Sequence, residues 1–229
     1  MHEITQIRRL SLWIFIIPFV AINTCLLISQ NYHFLDNTFF EVDPIGKSGF
    51  TIPYLDGSLS ISRASRTFPQ YLVFKPSMIL TALFLYYYWN NNNKLVNNFN
   101  STKINYRFKT FGILSAVFLA IHSIFLGIKF DIQIYKLSRR VVLLLFIIFE
   151  IIAQGYLVYH FYKLKIKLES YINKKVLMLK LILVSFLAVI GILSLPILVT
   201  SGNTHFKHGL EWNYFVGVIL FYLLSRLFW

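Results

Sequence analysis

Glu150 is the tenth residue of an apolar run of about 21, which sets a carboxylate near the middle of a bilayer. An exposed charge there costs about 2.5 to 3.5 kcal/mol on insertion scales, so the side chain must be buried, paired or protonated. His122 is the thirteenth residue of the preceding, oppositely directed run and falls at a similar depth, which makes a Glu150–His122 contact reasonable. Gln154 follows Glu150 by four residues and extends the same helix face. Such a stripe suits a buried site for a polar lipid group or a proton relay; interhelical hydrogen bonds that fix packing are the plainer reading. His205, His208 and Glu211 recur every three residues in HFKHGLE. On a helix they share a face that would suit a metal-dependent hydrolase, but the HExxH arrangement of zinc proteases is missing. Polar residues at a helix start, beside Trp212 and Tyr214 as interfacial aromatics, account for them without a metal, and no metal or cofactor is assigned.

A third group lies in the polar passage 52–74, IPYLDGSLSISRASRTFPQYLVF. Ser58 and Ser60 stand near Asp56, Arg63 and Arg66, with no GxSxG elbow to make a nucleophile of a serine. Guanidinium forks match phosphate oxygens, so Arg63 and Arg66, joined by Lys75 snorkelling outward, form a candidate lipid head-group site with the two serines as polar lining. Solvated loop residues drawn generally to head groups are the plainer alternative.

The elements that position these groups are membrane helices. The chain has 229 residues, 57% hydrophobic and only 14% charged, with a mean hydropathy of +0.63. An integral membrane protein fits that composition and a soluble domain does not. The net charge of +13 resides mainly in connections between apolar runs, where it sets orientation rather than binding nucleic acid. Six runs are long enough to cross a bilayer as helices: 10–28, 71–89, 110–130, 141–161, 181–200 and 212–228. The expected fold is an all-α six-transmembrane-helix bundle, one integral membrane domain, with a small extracytoplasmic cap over 30–70. The glycines and prolines of that cap are compatible with one or two short hairpins.

The first run follows Arg8 and Arg9 and lacks a small-residue cleavage site, so it is expected to remain as a signal anchor. Lys and Arg favour the side of the N-terminus, twelve against eight, Lys180 counted among the six lysines of the connection 162–180. Both termini are therefore expected in the cytoplasm, and the lysine-rich connection against an anionic leaflet. Asn100-Ser101-Thr102 fits a glycosylation pattern but falls on the cytoplasmic side. Cys25, the single cysteine, excludes an intrachain disulfide and reads as a small buried residue.

The six-run layout, the long first outward connection and YLDGSLSISRASRTFPQYLVFKPSMI entering the second run together resemble the FGF-receptor-activating-protein, DRAM and Sfk family. The likeness is nearest to its post-GPI-attachment lipid-remodelling branch and to the N-terminal part of Cwh. Tyr54, Leu55, Ser58, Ser60, Pro69 and Gln70 carry it, with Glu211-Trp212 opening the last run. Arg63 and Arg66 depart from it, standing where relatives often have small or acidic residues. The resemblance implies handling or remodelling of membrane lipids, in an endomembrane if the source is eukaryotic or an inner membrane if bacterial, and supplies no catalytic set. Two alternatives stand beside it: a non-catalytic membrane scaffold or regulator, and the metal-dependent intramembrane hydrolase.

Overall fold

The computed structural model describes residues 2–99, 106–128, 133–200 and 202–229. Among them lie six long helices: α1 (His2–Gln30), α4 (Gln70–Phe99), α5 (Arg107–Phe125), α6 (Gln133–Lys163), α7 (Lys174–Val199) and α8 (Thr204–Phe228). The connection from α1 to α4 contains two short ones, α2 (Pro53–Asp56) and α3 (Ile61–Ser65), and single 3-10 turns at Tyr32–Leu35 and Pro44–Gly46. The far end of the expected 110–130 run and the Asn100 sequon lie outside the described residues.

Among the described residues, four helices are long and apolar enough to cross a membrane: α1, α5, the Leu137–Lys163 part of α6 and the Lys174–Ile197 part of α7. The chain is a helical, membrane-embedded protein. Helix α1 shows how the packing arises: Ile7, Ser11, Ile14, Pro18, Ala21 and Cys25 are buried at steps of three and four, along one face. Trp13, Val20 and Leu27 remain exposed, as side chains solvated by hydrocarbon can be. Cys25 is a buried free thiol.

The long helices close into a ring, α1 against α4, α4 against α5, α5 against α6, α6 against α7, α7 against α8, and α8 back against α1. Small residues permit the approach. A Cβ on Gly112 of α5 would lie 2.3 Å from the Trp89 ring of α4. At one end of the ring Asn173 N–H donates to the Phe228 carbonyl at 2.8 Å; at the other, Ser48 N–H donates to Ser29 O at 2.9 Å and draws the α1–α4 connection onto the helix ends.

That connection forms no hairpin: no strand occurs among the described residues. Its backbone groups are satisfied locally by side chains, which compete with a strand ladder. Asp43 accepts from Ile45 N–H at 3.0 Å ahead of Pro44. Ser60 caps α3 by accepting from Arg63 N–H at 3.1 Å. Gly57 ends α2 in the left-handed region at φ 60°, where glycine carries no Cβ penalty.

Candidate functional site

The ring interior holds a polar cluster assembled from five helices. Glu150 of α6 is buried, and its carboxylate accepts from Ser115 Oγ of α5 at 2.5 Å and from Gln154 Nε2 at 3.0 Å. The Tyr222 hydroxyl of α8 donates to it as well. Gln154 also donates to the Val218 carbonyl at 3.3 Å. Val218, Tyr222 and Ser225 follow one another at helical spacing, so one face of α8 runs along the cluster. Tyr88 of α4 packs edge-on against Tyr222, centroids 5.0 Å apart, and its hydroxyl lies 3.1 Å from Ser225 Oγ.

Lys180 completes the cluster and corrects an expectation. The sequence places it in a basic connection; in the structure it lies inside α7 with no exposed surface. Its ammonium donates to Ser225 Oγ at 2.9 Å and sits over Phe221 at 4.2 Å and Phe228 at 5.0 Å. Helix α7 starts at Lys174, seven residues before the expected 181–200 run, so Lys180 occupies its second turn and faces the ring.

The Glu150–His122 contact is not formed; Ser115 takes that place. Helix α6 begins eight residues before the expected 141–161 run, and this shift in register pairs Ser115 with Glu150 and sets His122, two turns further along α5, beside the backbone of Arg139. His122 is buried and its Nδ1 has no hydrogen-bond partner.

The HxxHxxE residues face the α1–α4 connection. His205 Nδ1 lies 3.2 Å from the Asp56 carbonyl and His208 Nδ1 lies 3.0 Å from the Gly57 carbonyl. Glu211 accepts from the backbone amides of Ile61 and Ser62 at the start of α3, where a carboxylate satisfies free N–H groups and the helix dipole together. Among the described residues no group of three His, Cys, Asp or Glu could hold a metal ion. Trp212 is buried rather than interfacial: its Nε1 donates to Leu59 O at 2.7 Å and its ring meets Tyr54 edge-on, centroids 4.8 Å apart. Asn213 Nδ2 donates to Tyr54 O at 2.8 Å. The passage 54–62 and the start of α8 are thus one docked unit, with Gly57 in closest contact: a Cβ there would fall 1.8 Å from His205 O.

The expected serine lining is committed elsewhere. Ser58 donates N–H and hydroxyl to Asp56 at 2.8 and 2.7 Å, while Ile52 N–H and Thr51 Oγ1 bind the same carboxylate. These donors hold the Asp56 carboxyl well below the usual carboxylate range, the Ser58 amide contributing most. Ser60 is spent on its capping bond.

The basic residues gather on the other flank of the connection. Arg63 Nε donates to Ile45 O at 3.2 Å, and Lys75 Nζ donates to Ile124 O near the end of α5 at 3.2 Å and lies 5.3 Å from the Tyr71 ring centre. Half-buried Arg66 has Arg139 and Arg63 as like-charged neighbours and Asp43 as an opposite one. Burial first, then the two guanidinium groups, makes its charge harder to hold. The turn after α5 lies directly on it: a Cβ at Gly127, φ 82°, would sit 2.4 Å from Arg66 O. Beside these residues runs an aromatic strip in which Phe39 and Phe40 each stand 6.1 Å from Phe68, and Phe68 stands 6.0 Å from Tyr71.

Of the residues expected to act, Arg66 and Lys75 both lie against the end of α5 with Arg63 beside Arg66, His205, His208 and Glu211 meet the α1–α4 connection at the α8 dock, and Glu150 and His122 are separated. Lys180, Ser225, Tyr88, Tyr222 and Arg139 were not anticipated. The Val218–Tyr222–Ser225 spacing was the one visible signal for the α8 face.

Fold and site together define a membrane-embedded helical ring with basic residues and an aromatic strip at the end covered by its longest described connection. Compared with family models, curated proteins and solved structures, the chain matches none.

Proposed function

We propose that the protein handles membrane lipids at the mouth framed by Arg63, Arg66 and Lys75, as an all-α bundle of six spans. In this reading α4 and α8, 30 and 25 residues long, cross the membrane with the other four, and both termini are cytoplasmic. The α1–α4 connection is then an extracytoplasmic cap lying on the outer leaflet. Its surface carries the argument. Phe34, Phe39 and Leu55 are each 84% exposed and Phe50 is 87% exposed, an apolar display that water disfavours and a lipid interface accepts. Cationic side chains next to such a surface meet the phosphate level of a bilayer while the rings reach the acyl boundary.

The resemblance to the FGF-receptor-activating-protein, DRAM and Sfk family supports the same reading and suggests acyl remodelling of an anchor or membrane lipid. The test is the total lipid profile of cells with and without the protein, together with the lipid that co-purifies with it. A changed acyl composition and a retained lipid are expected; an unaltered profile with no retained lipid overturns the proposal.

One observation favours a non-catalytic variant of this function. Glu150 is engaged by three donors from its own bundle, the pattern of a packing determinant. Binding or distributing lipid without bond cleavage needs no further reactive group.

A further inference from the structure

We propose that the cavity between the α6–α7 connection and the start of α7 binds the head group of an anionic phospholipid, with Lys165 and Lys174 at its phosphate and the outer face of α7 along its acyl chains. This site lies at the other end of the ring from Arg63, Arg66 and Lys75 and stands independently of the function proposed for them.

The connection is built onto the bundle. Leu164, Leu168 and Ile172 are buried at steps of four, and the Leu168 and Ile172 amides donate to the Leu164 and Leu168 carbonyls at 3.0 and 3.2 Å. Burying that face turns the polar positions outward. Lys167 Nζ ties the connection to the end of α4 by donating to Phe99 O at 3.4 Å. Against the start of α7 it leaves a cavity of about 260 Å³, lined by Lys165, Ile166 and Glu169 on one side and Lys174, Leu177 and Met178 on the other. Sites for drug-sized ligands run from roughly 300 to 1,000 Å³, so this one suits a head group rather than a whole lipid.

Charge points to an anion. Within 162–175 five lysines stand against one glutamate, and Glu169 is already paired with Lys174. Lys165, the second cation of the lining, has no carboxylate partner among the described residues. Its Nζ rests 4.3 Å from the centre of the Tyr162 ring, which also borders the cavity. The amides that open α7 are not the attraction, since Asn173 Oδ1 accepts from Lys175 and Val176 N–H at 3.0 and 3.3 Å. The apolar part of the lining identifies what carries the anion. Ile166 is 77% exposed. Met178, Ile182, Phe186 and Val189 are exposed at steps of four and three along α7, one of the helices apolar enough to cross a membrane. A phosphate held at the lysines therefore sets acyl chains along this face, which a soluble acidic protein would leave unused.

The test uses the full chain in nanodiscs of phosphatidylcholine with increasing phosphatidylglycerol and reads amide hydrogen exchange over 162–178. Phosphatidylglycerol is expected to slow exchange there. Lys165→Gln with Lys174→Gln should weaken its apparent affinity about fivefold or more, the fold-change for losing one basic contact at an anionic surface. Lys163→Gln with Lys175→Gln removes the same charge outside the cavity and should keep most of the slowing. Lys165→Gln alone serves if the first pair does not fold, because it leaves the Lys174–Glu169 pair intact. No slowing in the wild type overturns the site. Equal loss in the two folded double variants overturns it too, and assigns the segment a diffuse attraction to negative surfaces. Slowing by polyglutamate in phosphatidylcholine discs that phosphatidylglycerol does not reproduce would transfer the cavity to an acidic protein and overturn the lipid assignment.

Discussion

Glu150 and Lys180 are opposite in charge and equally hidden, yet they ask different things of the fold. Glu150 receives Ser115, Tyr222 and Gln154, so Glu150→Gln turns an acceptor toward donors and should cost on the order of 1 to 3 kcal/mol of stability. The account expects a lower unfolding midpoint with lipid retention intact; lost retention at an unchanged midpoint would move Glu150 into the functional machinery. Lys180 has one hydroxyl partner and three aromatic faces. Replacing a buried charge by an apolar side chain of similar volume is often neutral or stabilising, while removing its partner is not. Thus Lys180→Met should hold or raise the midpoint, and Ser225→Ala should lower it by about 1 to 3 kcal/mol. The sequence makes Glu150 conspicuous because a carboxylate interrupts an apolar run. It hides Lys180, because a lysine at the border of a run reads as connection until the helix start is known.

At the level of elements, the dock between the α1–α4 connection and α8 makes its own predictions. Gly57→Ala meets His205 O and a left-handed backbone, and should weaken the dock by more than about 1 kcal/mol, seen as faster proteolysis within 31–69. Burial holds His208 below its ordinary value of 6.5, against the opposing Gly57 carbonyl and with His205 and Arg63 as like-charged neighbours. The folded state therefore binds fewer protons than the unfolded one. The resulting stability is fully present above pH 6.5 and is lost as pH falls through the folded value. Asp56 acts in the same direction at lower pH, since its depressed carboxyl contributes above its ordinary 3.8 and loses that contribution on acidification. Proteolysis of the connection should accelerate below pH 6.5, and His208→Asn should flatten the first part of that profile. The HxxHxxE spacing correctly puts three side chains on one face; what the face meets is a tertiary fact, supplied by a passage some 150 residues earlier. The hairpin expectation failed for a related reason, since Asp43, Asp56 and Ser60 spend their oxygens on nearby amides and close turns where a ladder would need open backbone.

For the whole molecule, the apolar runs foretell the six long helices, because hydrocarbon-length stretches leave few alternatives. Ring order and register were not legible: they depend on small residues such as Gly112 and on helix starts that lie beyond the apolar runs. The membrane path of α4 and α8 is testable with the buried thiol removed, in a Cys25→Ser background carrying Ser48→Cys or Lys167→Cys. Six spans put the two positions on opposite sides of the membrane toward an impermeant reagent, whereas four spans put them on the same side. The arginines of the α1–α4 connection were visible as a motif, while their contacts with the end of α5 were not, since those depend on where α5 ends. The most direct measurement of the central claim is native mass spectrometry of the full chain released gently from its own membrane, wild type beside the Arg63→Ala, Arg66→Ala, Lys75→Ala triple variant. The account predicts a phospholipid retained by the wild type and lost from the folded variant; no retained lipid, or the same lipid on both, would contradict it.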